Sequence, residues 1–181
     1  MINNEKKVQE RLKTDILSAL RRVYAEDGKL LLRDIGVCER SLMHRFTHYF
    51  INRIESSRCK IYEGLHVDGE YNRHRMNSKR LAGILIFPDV IVHKRGDDSA
   101  NLCVMEFKKS LTTEGERKDE CDFEKDIEKL RGMTVAQECG GEYGYKWGLH
   151  VIFCSDGVKM KWFCNGVECG EYEKLVLPKS L

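Results

Sequence analysis

The chain has 181 residues, of which 41% are hydrophobic and 33% charged, and only two are prolines. This length and composition predict a single domain with a sizeable core. With 31 Lys and Arg against 29 Asp and Glu the formal net charge is +2, so a nucleic-acid site would have to be a local patch. No apolar run approaches the roughly 20 residues of a membrane span, and the N-terminus lacks a signal-peptide core. We therefore expect no membrane partner and a cytoplasmic location.

The eight cysteines are scattered and form no Cys-x-x-Cys pair. Several lie inside apolar stretches, where reduced thiols are common. Reduced cysteines in a cytosolic protein are therefore favoured over a disulfide framework. A zinc site built from Cys154, Cys164, Cys169 and a histidine remains an alternative.

Two amphipathic helices are predicted in the first third of the chain. The first covers residues 5–25 and ends at Asp27-Gly28, and the second covers about 37–54. The second helix has apolar residues at every fourth position, namely Leu42, Phe46, Phe50 and Ile54. Glu39 lies on the inward edge of that apolar face. Its carboxylate is either an ordinary complement to the helix dipole or an acidic group supplied to a site on a neighbouring element.

A basic cluster follows the strand predicted at residues 64–73. It contains Arg73, His74, Arg75, Lys79 and Arg80, and it leads into an apolar run at 81–87. Such a cluster is either a solvated loop or a contact for a phosphate backbone. The candidate nucleic-acid-binding residues are Arg73, Arg75, Lys79 and Arg80.

A β-hairpin is predicted between residues 87 and 109. Two apolar strands are joined by the turn-rich segment Gly96-Asp97-Asp98-Ser99. Asp89 starts the first strand, and Glu106 and Lys108 end the second. Because the start of one antiparallel strand lies beside the end of the next, these side chains should be close, with Glu106 and Lys108 on the same face.

Two carboxylates and an ammonium group at the end of an apolar hairpin need compensation. A hard cation would supply it, because Mg²⁺ is commonly held by one or two carboxylates and completes its shell with water and phosphate oxygens. The lysine could then orient or help to deprotonate an attacking water. This pattern predicts phosphodiester hydrolysis. Alternatively, Asp89 caps a turn, and Glu106 and Lys108 form a charge pair at a sheet edge.

The rest of the chain predicts a helix, a strand and two hairpin strands. The helix covers about 118–138, and the strand that follows alternates apolar residues over 145–153. A right-handed crossover should place this helix over one face of the sheet. A strand at 158–164 then turns at Asn165-Gly166, a strong two-residue hairpin signal, into a strand at 167–172.

The ordered set of a helix glutamate, Pro88-Asp89 and Glu106-Phe107-Lys108 resembles the PD-(D/E)xK superfamily of restriction-endonuclease-like nucleases. The resemblance covers residues 37–163 and implies an α/β (α+β) fold, a mixed sheet flanked by helices in αβββαβ order. Residues 1–36 would be an N-terminal helical extension, and 164–181 a C-terminal hairpin and tail. Within the superfamily the chain looks like an uncharacterised prokaryotic group with corresponding motifs. They are read here at Glu39, 68–73, 88–93 and 106–109, with Asp126 and Lys129-Leu130 matching a later helix pattern.

The resemblance also implies roles for individual residues. Asp89 and Glu106 would bind Mg²⁺ or Mn²⁺ together with the Phe107 carbonyl. Lys108 would position the water, Glu39 would support a second metal or that water, and Glu70 would belong to the outer shell of the site. The implied partner is nucleic acid, with DNA favoured, and a homodimer or larger complex is compatible with this class. The alternative is a nuclease-like domain that binds nucleic acid or a partner protein without cutting.

Overall fold

The computed structural model describes residues 2–31, 37–74, 77–110 and 116–177, with side chains described from residue 4 and, in the third helix, from residue 123. In these ranges the α-helices are α1 (Ile2–Glu26), α2 (Glu39–Ser57) and α3 (Glu116–Thr134). Short 3₁₀ helices lie at Gly28–Leu31, Lys60–Tyr62, Asp98–Ala100 and Gln137–Cys139.

Eleven strands are formed by the described residues. They are β1 (His66–Gly69), β2 (Arg73–His74), β3 (Asn77–Ser78), β4 (Arg80–Leu81), β5 (Ile84–Leu85), β6 (Val90–His93), β7 (Cys103–Lys109), β8 (Trp147–Cys154), β9 (Gly157–Cys164), β10 (Val167–Glu168) and β11 (Glu173–Val176). Seven of them form one mixed sheet in the order β1-β6-β7-β8-β9-β10, with β11 also paired to β9. The short pairs β2–β3 and β4–β5 form two separate hairpins.

The main sheet is antiparallel except where β7 pairs with β8. The chain reaches β8 from β7 through α3, as a parallel pair requires a long crossover connection. From α2 to β8 the main-sheet elements follow the order helix, three strands, helix, strand. The α+β fold class and this order were both predicted from the sequence.

Helices cover both faces of the sheet. On one face α1 and α2 pack with apolar side chains against alternate sheet residues, including Phe46 against Phe107 with ring centroids 4.8 Å apart. On the other face Leu130 and Met133 of α3 pack with Val104 and other sheet residues. Because successive strand residues point to opposite faces, residues 105 and 107 face α2, and residues 104 and 106 face α3.

A buried carboxylate joins the first two helices. Asp15 of α1 is 0% exposed, and its oxygens accept hydrogen bonds from Arg11 Nε at 2.7 Å, Arg53 Nε at 2.7 Å and Tyr62 Oη at 3.0 Å. A buried charge is tolerated only when it is paired and hydrogen-bonded. Asp15 thus fixes α1 to α2 and to the turn that follows α2.

A predicted strand and an apolar run are both interrupted where the backbone has positive φ. The strand predicted at 64–73 ends at Gly69, because Glu70 has φ +50°. The apolar run at 81–87 does not continue into the Asp89 strand. It reverses at Ala82 and Gly83, with φ +49° and +82°, to form the β4–β5 hairpin.

Two elements in the last third of the chain, a strand and a helix, end earlier than predicted. Asn165 and Gly166 have φ +47° and +77° and form the expected two-residue turn between β9 and β10. The predicted strand at 167–172, however, ends at Glu168, and Gly170 has φ +92°. The chain then returns as β11, which pairs with the first half of β9. The helix predicted to reach residue 138 ends at Thr134.

The described cysteines include one close pair. Cys164 Sγ lies 2.7 Å from Cys169 Sγ near the β9–β10 turn, and no disulfide is formed among the cysteines that the structure describes. Within the same ranges, no helix is long and apolar enough to cross a membrane.

Candidate active site

Asp89 lies beside the end of β7, as the predicted hairpin requires. Val90 of β6 is opposite Met105 of β7, so the residue before Val90 is opposite Glu106. Asp89 Oδ2 accepts a hydrogen bond of 2.7 Å from the Phe107 amide. Residues directly opposite in an antiparallel pair point to the same face, so the carboxylates of Asp89 and Glu106 share one face of the sheet.

Both carboxylates are poorly solvated. Glu106 is 1% exposed. Its Oε2 accepts a hydrogen bond of 2.5 Å from Lys129 Nζ. Its Oε1 is buried and has no hydrogen-bond partner among the described residues. Burial first, and then the negative charge of Asp89, raise the pKa of Glu106 well above its ordinary value. Burial also raises the pKa of Asp89, although the Phe107 amide opposes the shift. The two residues form an under-compensated acidic pair.

Lys108 is held between two acidic groups. Its Nζ lies 3.0 Å from Asp126 Oδ2 and 3.4 Å from Glu39 Oε1. Burial acts to lower the pKa of Lys108. The negative charges of Asp126 and Glu39, and the hydrogen bonds that Lys108 donates to them, have a larger effect in the opposite direction, so the pKa is raised above its ordinary value. Lys108 is therefore a charged donor at neutral pH. It can orient a water or a phosphate oxygen, but it is not suited to remove a proton.

Glu39 reaches the same end of the hairpin from the first residue of α2. Besides its contact with Lys108, its Oε2 accepts a hydrogen bond of 3.0 Å from the Lys109 amide. Burial raises the pKa of Glu39, and the charge of Lys108 opposes the shift. The four predicted catalytic residues, Glu39, Asp89, Glu106 and Lys108, thus lie at one end of the β6–β7 pair.

A cavity of about 290 Å³ opens on this end of the sheet. Its lining residues are Cys38, Glu39, Arg40, Met43, Glu70 and Asp89. Glu70 follows β1, where its amide donates a hydrogen bond of 2.9 Å to the Asp89 carbonyl. The Glu70 carboxylate pairs with Arg40 Nε at 2.8 Å. Glu70 therefore lies at the margin of the acidic cluster, and its assignment to the outer shell stays a prediction.

Three residues that were given no site role also belong to the cluster. Asp126 and Lys129 project from α3, where Lys129 Nζ lies 3.5 Å from Asp126 Oδ1. His150 of β8 is opposite Glu106 in the parallel register, and its Nε2 lies 4.0 Å from Asp126 Oδ2. Its Nδ1 is 2.6 Å from the Tyr172 hydroxyl. Burial lowers the pKa of His150 to about 4, so its ring is neutral at pH 7.

The basic cluster is divided by the fold. Arg73 and Arg80 are exposed, and Arg75 lies outside the described residues. Lys79, in contrast, is 3% exposed; its ammonium group donates to the Arg73 carbonyl and lies 5.1 Å from the centre of the Tyr71 ring. Burial lowers the pKa of Lys79 to about 8. The prediction that Lys79 contacts phosphate therefore conflicts with its position, because its ammonium group faces the protein interior.

The carboxylates of this cluster meet some, but not all, of the requirements of a site for a hard cation such as Mg²⁺. No group of three or more His, Cys, Asp or Glu side chains suited to a metal ion occurs among the side chains that the structure describes, and lysine ammonium groups contact Glu106, Asp126 and Glu39. However, Mg²⁺ commonly uses only one or two carboxylates and keeps several waters. The unpartnered Oε1 of Glu106 and the raised pKa values of Asp89 and Glu106 fit such a two-carboxylate site.

The fold and the site define an α+β protein with a mixed sheet that ends in a half-buried cluster of carboxylates and lysines. No protein-family model, curated protein or solved structure matches the chain. The resemblance to a nuclease superfamily therefore depends on the order and spacing of the motifs.

Proposed function

We propose that this protein is a metal-dependent nuclease that hydrolyses phosphodiester bonds in nucleic acid, with DNA as its preferred substrate. The observation that carries the proposal is the arrangement of Asp89 and Glu106. These two under-compensated carboxylates share a face at the end of one strand pair, with the Lys108 ammonium group and the Glu39 carboxylate beside them. Perturbed acidic groups next to a fixed cation are typical of catalytic sites.

Each residue has a distinct role in this proposal. Asp89 and Glu106 would hold Mg²⁺ or Mn²⁺, which supplies Lewis-acid polarisation of a phosphate and a more acidic bound water. Lys108 stabilises the charge that develops on the phosphate, as a positioned ammonium group does in a poorly solvated site. Glu39 restrains Lys108 from the side of α2 and offers a carboxylate to the attacking water.

A second candidate function is binding of nucleic acid without cleavage. The ion pairs of Glu106 with Lys129 and of Lys108 with Asp126, with N–O distances of 2.5 and 3.0 Å, favour it. These pairs offset part of the negative charge without a metal, so the cluster could serve as a structural network. Cleavage requires that a cation compete successfully with Lys129 for the Glu106 carboxylate.

Cleavage of labelled DNA and RNA, single- and double-stranded, tests the proposal. Reactions contain Mg²⁺, Mn²⁺ or EDTA and compare the wild type with Asp89→Asn and Lys108→Met. Lys94→Met is the matched control for Lys108, because Lys94 is exposed near the other end of the same hairpin and pairs locally with Asp97 at 2.7 Å. Asp156→Asn, in an exposed pair with Lys174, is the control for Asp89.

We expect metal-dependent cleavage that falls about 100-fold or more in each site variant and is unchanged in the two controls. Cleavage that survives Asp89→Asn would place the activity outside this site. Binding of nucleic acid without cleavage, retained by all variants, would favour the second candidate function.

A further inference from the structure

Three apolar side chains are exposed at and just after the β4–β5 hairpin. Ile84 is 71% exposed, Leu85 41% and Phe87 49%, and these are three of the five large hydrophobic side chains that are exposed among the described residues. Single exposed apolar residues are ordinary, but three within four positions concentrate apolar surface at one place in the fold, as interaction sites do. Ile84 is paired with Leu81 and lies on the opposite face of the hairpin from Leu85, so the apolar surface covers both faces of the hairpin. We name Ile84, Leu85 and Phe87 the apolar tip.

The base of this hairpin is firmly anchored, so the exposure does not come from a loosely packed segment. The Tyr143 hydroxyl accepts a hydrogen bond of 2.6 Å from the Arg80 amide and donates one of 2.5 Å to the Arg80 carbonyl. Leu81 packs closely over Gly132 of α3. Ile86 is 7% exposed and belongs to the core beneath α3. Because neighbouring residues of an extended chain alternate in direction, Leu85 and Phe87 point away from that core.

Charge and position indicate what covers the apolar tip. Phe87 is two residues before Asp89 in the chain, so the tip adjoins the candidate active site. The exposed Arg80 guanidinium lies over the hairpin turn and donates a hydrogen bond of 2.7 Å to the Gly83 carbonyl. An apolar surface next to a guanidinium group matches nucleic acid, which offers base faces beside phosphates.

We propose that the apolar tip is a wedge that unstacks a base step of duplex DNA next to the phosphodiester bond at Asp89. Phe, Leu and Ile side chains inserted between base steps kink the duplex and distort the backbone. This inference rests on the proposed function and adds the substrate class to it. Arg80 would contact a phosphate beside the unstacked step.

The wedge can be tested with duplex DNA that contains 2-aminopurine, whose fluorescence rises when the base is unstacked. The wild type is compared with the double variant Ile84→Ser/Phe87→Ala, using Ca²⁺ in place of Mg²⁺ in the binding measurements. Val167→Ser/Val176→Ala is the matched control, since Val167 and Val176 are 59% and 64% exposed and lie on other strands. Size-exclusion chromatography and cleavage with Mg²⁺ are measured on the same three proteins.

We expect the wild type and the control to raise the fluorescence, and the double variant to lose the rise and to bind duplex DNA about tenfold or more weakly. The inference is overturned if the double variant unstacks DNA as the wild type does, or if its main effect is to dissociate a dimer, which would make the apolar tip a protein contact. If the wild type cleaves DNA but does not unstack it, the wedge is overturned and the proposed nuclease function is not. If the wild type unstacks DNA but does not cleave it, the proposed nuclease function is overturned and the wedge is not. If the wild type does not bind DNA, both proposals are overturned.

Discussion

Replacement of Lys129 by methionine should destabilise the protein, because it removes the hydrogen-bonding partner of the Glu106 carboxylate. Lys129 Nζ lies 2.5 Å from Glu106 Oε2, and the two side chains are 19% and 2% exposed. Removal of one partner from a buried ion pair typically costs about 3–5 kcal/mol. The partial exposure of Lys129 places the expected loss near the lower end, about 3 kcal/mol. In a chain of this size that corresponds to a fall in melting temperature of about 6–12 °C.

The free energy of unfolding, measured by urea denaturation at pH 7, gives this loss directly. In the double variant Glu106→Gln/Lys129→Met most of the loss should be recovered, since a buried ion pair replaced by neutral side chains is often close to neutral in stability. Removal of Lys129 takes away an interaction that lowers the pKa of Glu106, so that pKa should rise further in Lys129→Met. The penalty should therefore grow as the pH rises and shrink as the pH falls, because a protonated Glu106 does not need the ammonium group. A loss under about 0.5 kcal/mol at pH 7, or a double variant less stable than Lys129→Met, would refute this reasoning.

Two further predictions concern other buried polar groups. The pKa of His150 is lowered to about 4 from 6.5, so the unfolded state takes up a proton first. Between pH 6.5 and 4 His150 should contribute a loss of stability of up to about 3 kcal/mol, and this contribution should be missing from the pH dependence of His150→Gln in urea denaturation. Equal pH slopes in the two proteins would contradict the assignment. Asp15→Ala should lower the unfolding free energy by about 2 kcal/mol, because it leaves the buried Tyr62 hydroxyl without its acceptor and an empty buried position beside it. Lys13→Ala, in an exposed pair with Glu173 at 2.6 Å, should change stability by about 1 kcal/mol at most, and comparable losses in both variants would show that burial is not decisive.

The part of the site that could be predicted comes from one local hairpin. Alternation in two adjacent apolar strands was enough to pair the start of the first with the end of the second, and the register that places Asp89 opposite Glu106 follows from it. Glu39 was predicted because its position on the apolar face of α2 points it inward. Both inferences depend on short-range periodicity, which the sequence carries directly.

The residues that were missed depend on contacts across the crossover. His150 faces Glu106 only because β8 pairs in parallel with β7 in one particular register, and no local pattern specifies that register. A signal was present: His150 is a polar residue within an otherwise apolar strand. Asp126 and Lys129 lie in a helix that was predicted, but their contacts depend on how α3 lies over the sheet.

Lys79 was assigned to a phosphate contact because it belongs to a basic cluster that leads into the apolar run at 81–87, and the reversal of that run into a hairpin was not predicted. Gly83 is a visible turn signal, but Ala82 also adopts positive φ, which its residue type does not suggest. The hairpin that results carries Lys79 beneath Tyr143 and exposes Phe87. Tertiary contacts thus bury Lys79, which was expected at the surface, and leave the Phe87 side chain exposed.

Binding of Mn²⁺ in the absence of nucleic acid tests most directly whether Asp89 and Glu106 hold a catalytic cation. The loss of the free-ion signal in electron paramagnetic resonance would be measured for the wild type, Asp89→Asn, Glu106→Gln and the surface control Asp156→Asn. The account predicts saturable binding by the wild type and the control that is weakened at least about tenfold in each site variant. Equal binding by all four proteins, or no binding by the wild type, would contradict a metal-dependent hydrolytic site at these residues.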